Sequence, residues 1–196
     1  MTFASSISNE AAALLPAAQF DGEIIVVEDG DALDEAYDYL SAQKVLGFDT
    51  ETRPSFTKNK LNKVALLQLS TRERCYLIRL CRMKSPDKAI KLLENSRITK
   101  VGVGLASDMS SLGRLWRFTP RGFVELQNEV ERFGIENKSL RKMAAIVLGE
   151  RVSKAQRLSN WEAATLTAQQ QLYAATDAWV CLRIMDAMQA AAQCNK

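Results

Sequence analysis

The chain has 196 residues, of which 47% are hydrophobic and 25% are charged, and these values are typical of a globular protein with an ordinary core. No segment reaches the uninterrupted apolar length of a membrane span, so we expect no membrane partner. Histidine is absent, which excludes Ser-His-Asp and Cys-His catalysis, histidine general bases and most transition-metal sites. A catalyst built from this chain must use carboxylates, tyrosine, lysine or a hard cation.

The net charge of +3 hides an uneven distribution along the chain. Residues 1–43 contain nine acids and no Lys or Arg, whereas the remainder holds all 26 basic residues and 14 of the 23 acids, a net charge of +12. A basic body suits an anionic polymer as partner, and an ordinary solvated surface is an equal alternative. Residues 1–20 lack the basic residues of a secretory or transit peptide, which predicts an intracellular protein, cytoplasmic if bacterial.

The hydrophobic pattern predicts an N-terminal extension with helical character over residues 1–20 and a single domain over residues 21–196. Three consecutive strands separated by turns indicate an antiparallel meander, and the alternating helices and strands that follow indicate parallel additions to the same sheet. The fold class is therefore an α/β sandwich with a mixed central sheet. The predicted strands are 23–27, 45–48, 64–69, 75–78, 99–103 and 122–126, and the predicted helices are 31–43, 86–95, 107–116, 139–148 and 167 into the 180s.

Two acids follow the second predicted strand, in the segment Phe48-Asp49-Thr50-Glu51-Thr52. Residues i and i+2 of a strand point to the same face, so the carboxylates of Asp49 and Glu51 are expected to share one small volume. Such a pair repels unless a cation is shared between them. The alternative is a pair of solvated acids in a loop.

Two further segments carry acids in positions that suit a site. Tyr173 and Asp177 are spaced i, i+4 in the C-terminal helix and therefore lie on one helical face, beside small alanines. Asp108 follows the strand 99–103 at the start of a helix, near the edge of the sheet where ligands usually bind. For Asp177 the alternative is an exposed acid on an amphipathic helix, and for Asp108 it is a residue that favours the helix dipole.

Taken together and in this order, these segments resemble the DEDD-type 3′→5′ exonucleases, in the tyrosine-containing branch of ribonuclease D and the Werner-syndrome-type domain. The resemblance runs from about residue 45 to 188 and implies a ribonuclease H-like fold. The sister branch has a histidine in place of the tyrosine and is excluded, since this chain has none. Position 125 is Glu where many relatives have Asp. The matching motifs are Phe48–Thr52, Val101–Asp108, Tyr173–Asp177 and the added Ser159–Trp161.

The resemblance implies hydrolysis of terminal phosphodiester bonds of DNA, or of RNA, to nucleoside 5′-monophosphates with two divalent cations, Mg²⁺ or Mn²⁺. By similarity, Asp49, Glu51 and Asp177 hold the first cation. Asp49 and Asp108, the latter largely through water, hold the second. Tyr173 orients the attacking water.

The expected partner is a nucleic acid with a free 3′ end. A separate helicase or repair partner stays open, because the further domains of ribonuclease D and the Werner protein do not fit in 196 residues. An RNA-trimming enzyme and a non-catalytic nucleic-acid-binding module are the alternatives. The candidate substrate-binding residues are Thr52, Arg53, Lys154 and Arg157, and Arg53 begins a further basic run with Lys58, Lys60 and Lys63. For Lys154 and Arg157 the alternative is a pair of ordinary solvated side chains.

Overall fold

The computed structural model describes residues 3–55, 57 and 61–194, and the strands among them form a six-stranded mixed sheet. The spatial order of the strands is β1-β4-β3-β2-β5-β6. Antiparallel pairing joins β2 to β3 and β3 to β4, which confirms the meander, and β5 and β6 add in parallel, as predicted. The strands are β1 (Glu23–Val27), β2 (Val45–Thr52), β3 (Val64–Ser70), β4 (Arg74–Ile78), β5 (Thr99–Gly102) and β6 (Phe123–Glu125).

Helices cover both faces of this sheet. Successive side chains of a strand point to opposite faces, so a strand that is apolar throughout needs a packing partner on each face. Leu46 and Phe48 pack with the buried residues of α2, α3 and α4, whereas Val45 packs on the opposite face with α6 and α7. The fold class is confirmed. The helices are α1 (Asn9–Ala13), α2 (Gly30–Ser41), α3 (Asp87–Glu94), α4 (Leu105–Gly113), α5 (Leu126–Glu131), α6 (Leu140–Leu148) and α7 (Ala168–Cys194).

Several boundaries differ from the sequence predictions. Strand β2 continues through both acids to Thr52, because β3 pairs with it along this whole stretch. The predicted strand 122–126 ends at Glu125, and a short helix, α5, begins directly after it. Strand β1 pairs in parallel with β4 at the edge of the sheet, a pairing that local patterns do not encode.

The close approach of α7 to β2 depends on Gly47. A β-carbon at this position would collide with the carbonyl oxygen of Ala178, so any other residue here would push the helix away from the strand. Ala178 is fully buried at this contact, and Ala174 and Ala175 are fully buried one turn earlier, in the cluster with Ala65 and Leu66 of β3. Small residues on both elements therefore bring the side chains of α7 next to those at the end of β2.

The N-terminal segment, residues 3–20, runs along the region around α6. The backbone N–H of Ala18 donates to the carbonyl of Arg151 at 2.9 Å, and that of Glu136 donates to the carbonyl of Ser5 at 2.8 Å. The ring of Phe3 packs edge-on against Phe133 with 5.7 Å between centroids. Among the described residues, no helix combines the length and apolarity that crossing a membrane requires.

Candidate active site

Strand β2 carries two of the predicted site residues, Asp49 and Glu51, on the face that meets α7. The parallel pairing with β5 ends at Gly47, so the following residues of β2 extend beyond the end of that neighbour. Helix α7 brings Asp177 to the same place. One carboxylate oxygen from each of Asp49, Glu51 and Asp177 lies within 4.8 Å of the other two. The structure therefore brings these three predicted residues together.

Burial and mutual repulsion leave the three carboxyl groups hard to ionise. The pKa of Asp49 is raised well above its usual range, chiefly by burial and then by the charges of Asp177 and Asp108. Burial, followed by the charge of Asp49, raises the pKa of Glu51 to about 10. Burial raises the pKa of Asp177 to about 7, and the Tyr173 hydroxyl and the Arg141 charge act in the opposite direction.

No ion pair found among the described residues includes these three acids, and Oδ1 of Asp177 is buried without a hydrogen-bond partner. A buried polar atom without a partner is costly, and a buried cluster of like charges is more so. A hard divalent cation would supply both the opposite charge and the missing ligand contact. The donor set, which is all carboxylate oxygen, suits such an ion.

Asp108 lies near this cluster but outside it. Its Oδ1 accepts a hydrogen bond from the hydroxyl of Thr50 at 2.6 Å. Its charge contributes to the raised pKa of Asp49 and of Glu51, which places it within electrostatic reach of both. Burial raises the pKa of Asp108 itself to about 6, against the effect of the Thr50 hydrogen bond. Asp108 is thus held by Thr50 at the side of the three-acid cluster.

Glu125 holds the turn that precedes Asp108, a role that the sequence did not reveal. Helix α4 begins after Gly104, which has a positive φ of 75° and offers no capping side chain. The Glu125 carboxylate instead accepts hydrogen bonds from the backbone N–H groups of Gly104, at 3.1 Å, and Leu105, at 2.8 Å. The sequence did contain a usable signal, since Glu125 ends a predicted strand that is parallel to β5. The carboxyl ends of parallel strands lie at the same edge of the sheet, where an acid can cap a helix.

Tyr173 lies one helical turn before Asp177 on α7 and faces the acids. Burial, followed by the charges of Asp177 and Glu51, raises the pKa of Tyr173 well above its usual value, so the phenol keeps its proton near neutral pH. The ring packs against Trp161, with 6.0 Å between centroids and 38° between planes. Trp161 is fully buried. Trp161 therefore supports the ring of Tyr173 directly.

Arg79 fixes the loop that carries Trp161. Its guanidinium is fully buried, donates to the carbonyl oxygens of Ala163 and Ala164, and forms an ion pair with Glu28 at 2.7 Å. Each contact removes part of the cost of burying the charge. Sequence reasoning missed this residue, although a charged residue directly after the apolar strand β4 was a usable signal.

The predicted substrate-binding residues divide into two groups. Lys154 and Arg157 line the pocket around the acids, which has a volume of about 460 Å³. Arg53 instead pairs with Glu162 at 3.2 Å, and Thr52 ends β2, and neither is part of the pocket wall. Of the further basic run, Lys58 and Lys60 fall outside the described residues, and Lys63 lines a different pocket. The cavity lined by Asp49, Glu51, Tyr173 and Asp177 is the acid pocket.

Comparison with known proteins agrees with this fold and shows the family of the chain. A protein-family model described as 3′-5′ exonuclease matches residues 24–193 of the chain. The chain therefore belongs to the 3′-5′ exonuclease family, whose members are hydrolytic nucleases, and the predicted family is confirmed. The bifunctional 3′-5′ exonuclease/ATP-dependent helicase WRN of Mus musculus is 38% identical over 181 residues. That match covers 87% of this chain and 13% of the relative, so the chain spans only a small part of it.

Solved structures give the same answer for the fold. The EXO domain of Aedes aegypti Nibbler has a TM-score of 0.80 and 24% identity, and the match covers 89% of this chain and 90% of that one. The EXD2 exonuclease domain, in a crystal soaked in Mn, has a TM-score of 0.51 and 29% identity over 83% of this chain and 87% of that one. The ribonuclease H-like expectation for the fold agrees with these neighbours.

Proposed function

We propose that this chain removes nucleotides one at a time from the 3′ end of a nucleic acid and releases nucleoside 5′-monophosphates, using two divalent cations. The observation that carries the proposal is the convergence of Asp49, Glu51 and Asp177, whose carboxylate oxygens lie within 4.8 Å of one another. Asp177 is buried, Asp49 and Glu51 are partly buried, and the pKa values of all three are raised, so a bound cation would stabilise this cluster.

The chemistry of the pocket favours Mg²⁺ or Mn²⁺. Hard oxygen ligands without nitrogen or sulfur suit these ions, and the chain contains no histidine to select a softer metal. The related EXD2 exonuclease domain was soaked in Mn, which supports the same choice here. Asp49, Glu51 and Asp177 would hold the first cation, and Asp49 with Asp108 the second. When bound, the cations lower the pKa of a water molecule and neutralise charge on the leaving oxygen.

The remaining residues position the substrate and the water. Because the pKa of Tyr173 is raised, its hydroxyl stays protonated and acts as a hydrogen-bond partner that orients the attacking water. The packing of Trp161 against its ring limits the positions that this hydroxyl can take. Lys154 and Arg157, on the wall of the acid pocket, are placed to pair with phosphates near the cleaved bond, and Thr52 and Arg53 remain candidates for contacts further along.

The preference for DNA or RNA depends on contacts to the 2′-hydroxyl and is left to experiment. Since the chain spans 13% of WRN, the helicase activity named for that relative does not transfer to it, and a separate helicase or repair partner is part of the proposal only. An intracellular location stays a prediction from the sequence.

The test uses 5′-labelled single-stranded DNA, recessed duplex DNA and RNA, each incubated with Mg²⁺, Mn²⁺ or EDTA and followed as ladders on a gel. We expect ladders that shorten from the 3′ end with either cation and no cleavage in EDTA. Asp177→Asn should abolish the ladders, whereas Asp186→Asn, a surface acid on the same helix, should leave them unchanged. Binding of these substrates without any cleavage would instead favour the non-catalytic module.

A further inference from the structure

A groove lined by basic side chains opens from the acid pocket toward the N-terminal segment. This groove and the acid pocket share Ser139, Arg141, Val152, Ser153 and Lys154 in their walls, so the two cavities adjoin. The far wall of this groove is the helix α1, through Asn9, Ala12 and Ala13. This cavity is the basic groove. Its four basic residues are Arg141, Lys142, Arg151 and Lys154.

Backbone carbonyls hold three of these four side chains in place. Nε of Arg141 donates to the carbonyl of Val152 at 3.0 Å. Nζ of Lys142 donates to the carbonyl of Ile7 at 2.6 Å, and Nε of Arg151 donates to the carbonyl of Leu15 at 3.0 Å. A carbonyl orients a cation without cancelling its charge. Two of the three carbonyls come from the N-terminal segment, which therefore sets the direction of Lys142 and Arg151.

The positive charge of the groove is not neutralised within the part of the chain that the structure describes. None of the ion pairs found there includes Arg141, Lys142, Arg151 or Lys154. Glu10 feels the charge of Lys142 only as a minor contribution to its lowered pKa, behind hydrogen bonds to the backbone and to Ser8. Four cations that share one cavity repel each other, and an anionic ligand with several charges would relieve that repulsion.

We infer that the basic groove binds the sugar-phosphate backbone of the strand that leads away from the cleaved nucleotide, and that the N-terminal segment is part of this binding surface. This inference rests on the proposed function, which puts the 3′ end at the acids. A strand with its end there must leave the acid pocket, and the adjoining basic groove offers four cations, three of which are held by backbone carbonyls. The N-terminal segment precedes residue 24, where the match to the exonuclease family begins.

The test removes the two cations that the N-terminal segment orients, in the double variant Lys142→Gln with Arg151→Gln. The matched control is Lys91→Gln with Arg97→Gln, which also removes one Lys and one Arg, both exposed and at a distance from the groove. Binding of a single-stranded oligonucleotide of about 12 nucleotides is measured by fluorescence anisotropy in EDTA, over a range of salt concentrations. Hydrolysis of the same oligonucleotide and of a dinucleotide is measured with Mg²⁺.

We expect the groove variant to bind the long oligonucleotide about tenfold more weakly at low salt, and the slope of log K against log salt to fall by about 1.4 for two lost phosphate contacts. Its loss in kcat/KM should shrink as the substrate shortens and be smallest for the dinucleotide. The control variant should match the original chain in every measurement. Thermal unfolding of both variants checks that the fold is intact.

Three results would overturn the inference. The first is an unchanged salt slope, and the second is an equal loss for the dinucleotide and the long oligonucleotide. Competition by polyglutamate as strong as that by the oligonucleotide would reassign the groove to an acidic protein and also overturn it. Failure of the proposed function looks different, because the original chain would then bind the oligonucleotide through the groove and hydrolyse neither substrate.

Discussion

The acid pocket and the basic groove each concentrate one sign of charge, and they differ in how far that charge is removed from water. Asp177 is only 7% exposed, whereas Arg141, Arg151 and Lys154 are exposed. The carboxylates of the acid pocket keep their protons to a higher pH, as their raised pKa values indicate, whereas salt screens the exposed cations of the groove. We therefore expect the acid pocket to destabilise the metal-free fold until a cation binds. We expect the groove to change mainly the affinity for the nucleic-acid strand.

The largest effect is expected from Asp49→Asn or Asp177→Asn, each of which removes one ligand of the proposed metal site. We expect the single-turnover rate to fall at least about ten-thousandfold, because the remaining acids cannot hold the cation in place. Rapid-quench kinetics with Mg²⁺ measures it.

The control for both variants is Asp186→Asn on the same helix. Asp186 pairs with Arg72 at the surface, and such pairs contribute about 0–1 kcal/mol to stability, so its rate should be unchanged. Full activity in Asp49→Asn or Asp177→Asn would show that the acid pocket is not where cleavage occurs.

The next effect in size concerns Tyr173→Phe, which keeps the ring against Trp161 and removes only the hydroxyl. If the hydroxyl orients water, the single-turnover rate should fall about a hundredfold to ten-thousandfold while affinity for the oligonucleotide barely changes. Rapid-quench kinetics and anisotropy in EDTA give the two numbers.

Tyr37→Phe is the matched control, since Tyr37 lies on α2 and packs against the core formed with α3 and α4, away from the acid pocket. Equal losses of affinity and rate in Tyr173→Phe would make Tyr173 a residue that grips the substrate. An unchanged rate would reduce it to a packing residue.

The stability of the metal-free chain should depend on pH in the direction opposite to that of a protein with salt-bridged acids. In the folded chain the pKa is about 7 for Asp177 and about 6 for Asp108, both above the ordinary value of 3.8. Below about pH 4 these groups are protonated in both states and cost nothing. As the pH rises to 7 the unfolded chain releases their protons first, so the free energy of unfolding falls.

Thermal unfolding in EDTA between pH 5 and pH 8 measures this loss, at about 2–4 °C for each kcal/mol in a chain of this size. Mg²⁺ added at pH 8 should raise the unfolding temperature, because it binds only the folded, ionised acids. Asp177→Asn should flatten the pH dependence and weaken the response to Mg²⁺, and Asp186→Asn should do neither. A metal-free chain that gains stability from pH 5 to pH 8 would contradict the pKa values.

The sequence predicts most of the sheet because its signals are local. Alternating or continuous apolar runs locate the strands, and the change from turns to intervening helices distinguishes antiparallel from parallel neighbours. Two features of the fold were not predicted. The parallel pairing of β1 with β4 joins distant segments, and the helix α5 is too short to show a periodic pattern.

The residues of the site divide in the same way, into those with a local sequence signal and those whose contacts join distant segments. The i, i+2 spacing placed Asp49 and Glu51 on one face of a strand, and the i, i+4 spacing placed Asp177 beside Tyr173 on one face of a helix. Only the family resemblance joined these two segments and Asp108 into one site. The supporting contacts of Arg79, Glu125 and the carbonyls of Ile7 and Leu15 could not be predicted, because each joins segments whose relation only the folded chain defines.

The smallest effect is expected at Arg53, a basic residue near the site whose charge is already paired. Its ion pair with Glu162 is 3.2 Å long and half-exposed, so Arg53→Ala should cost at most about 1 kcal/mol in the free energy of unfolding. Its effect on oligonucleotide affinity should be less than that of Arg151→Ala, because Arg53 must first leave Glu162 to reach a phosphate.

Glu162→Gln removes this competition for Arg53. It should therefore raise the affinity for the oligonucleotide slightly, and only when Arg53 is present. Anisotropy titrations of the two single variants and the double variant measure the coupling. A larger loss for Arg53→Ala than for Arg151→Ala would mean that the strand leaves the acid pocket past the end of β2 and not through the basic groove.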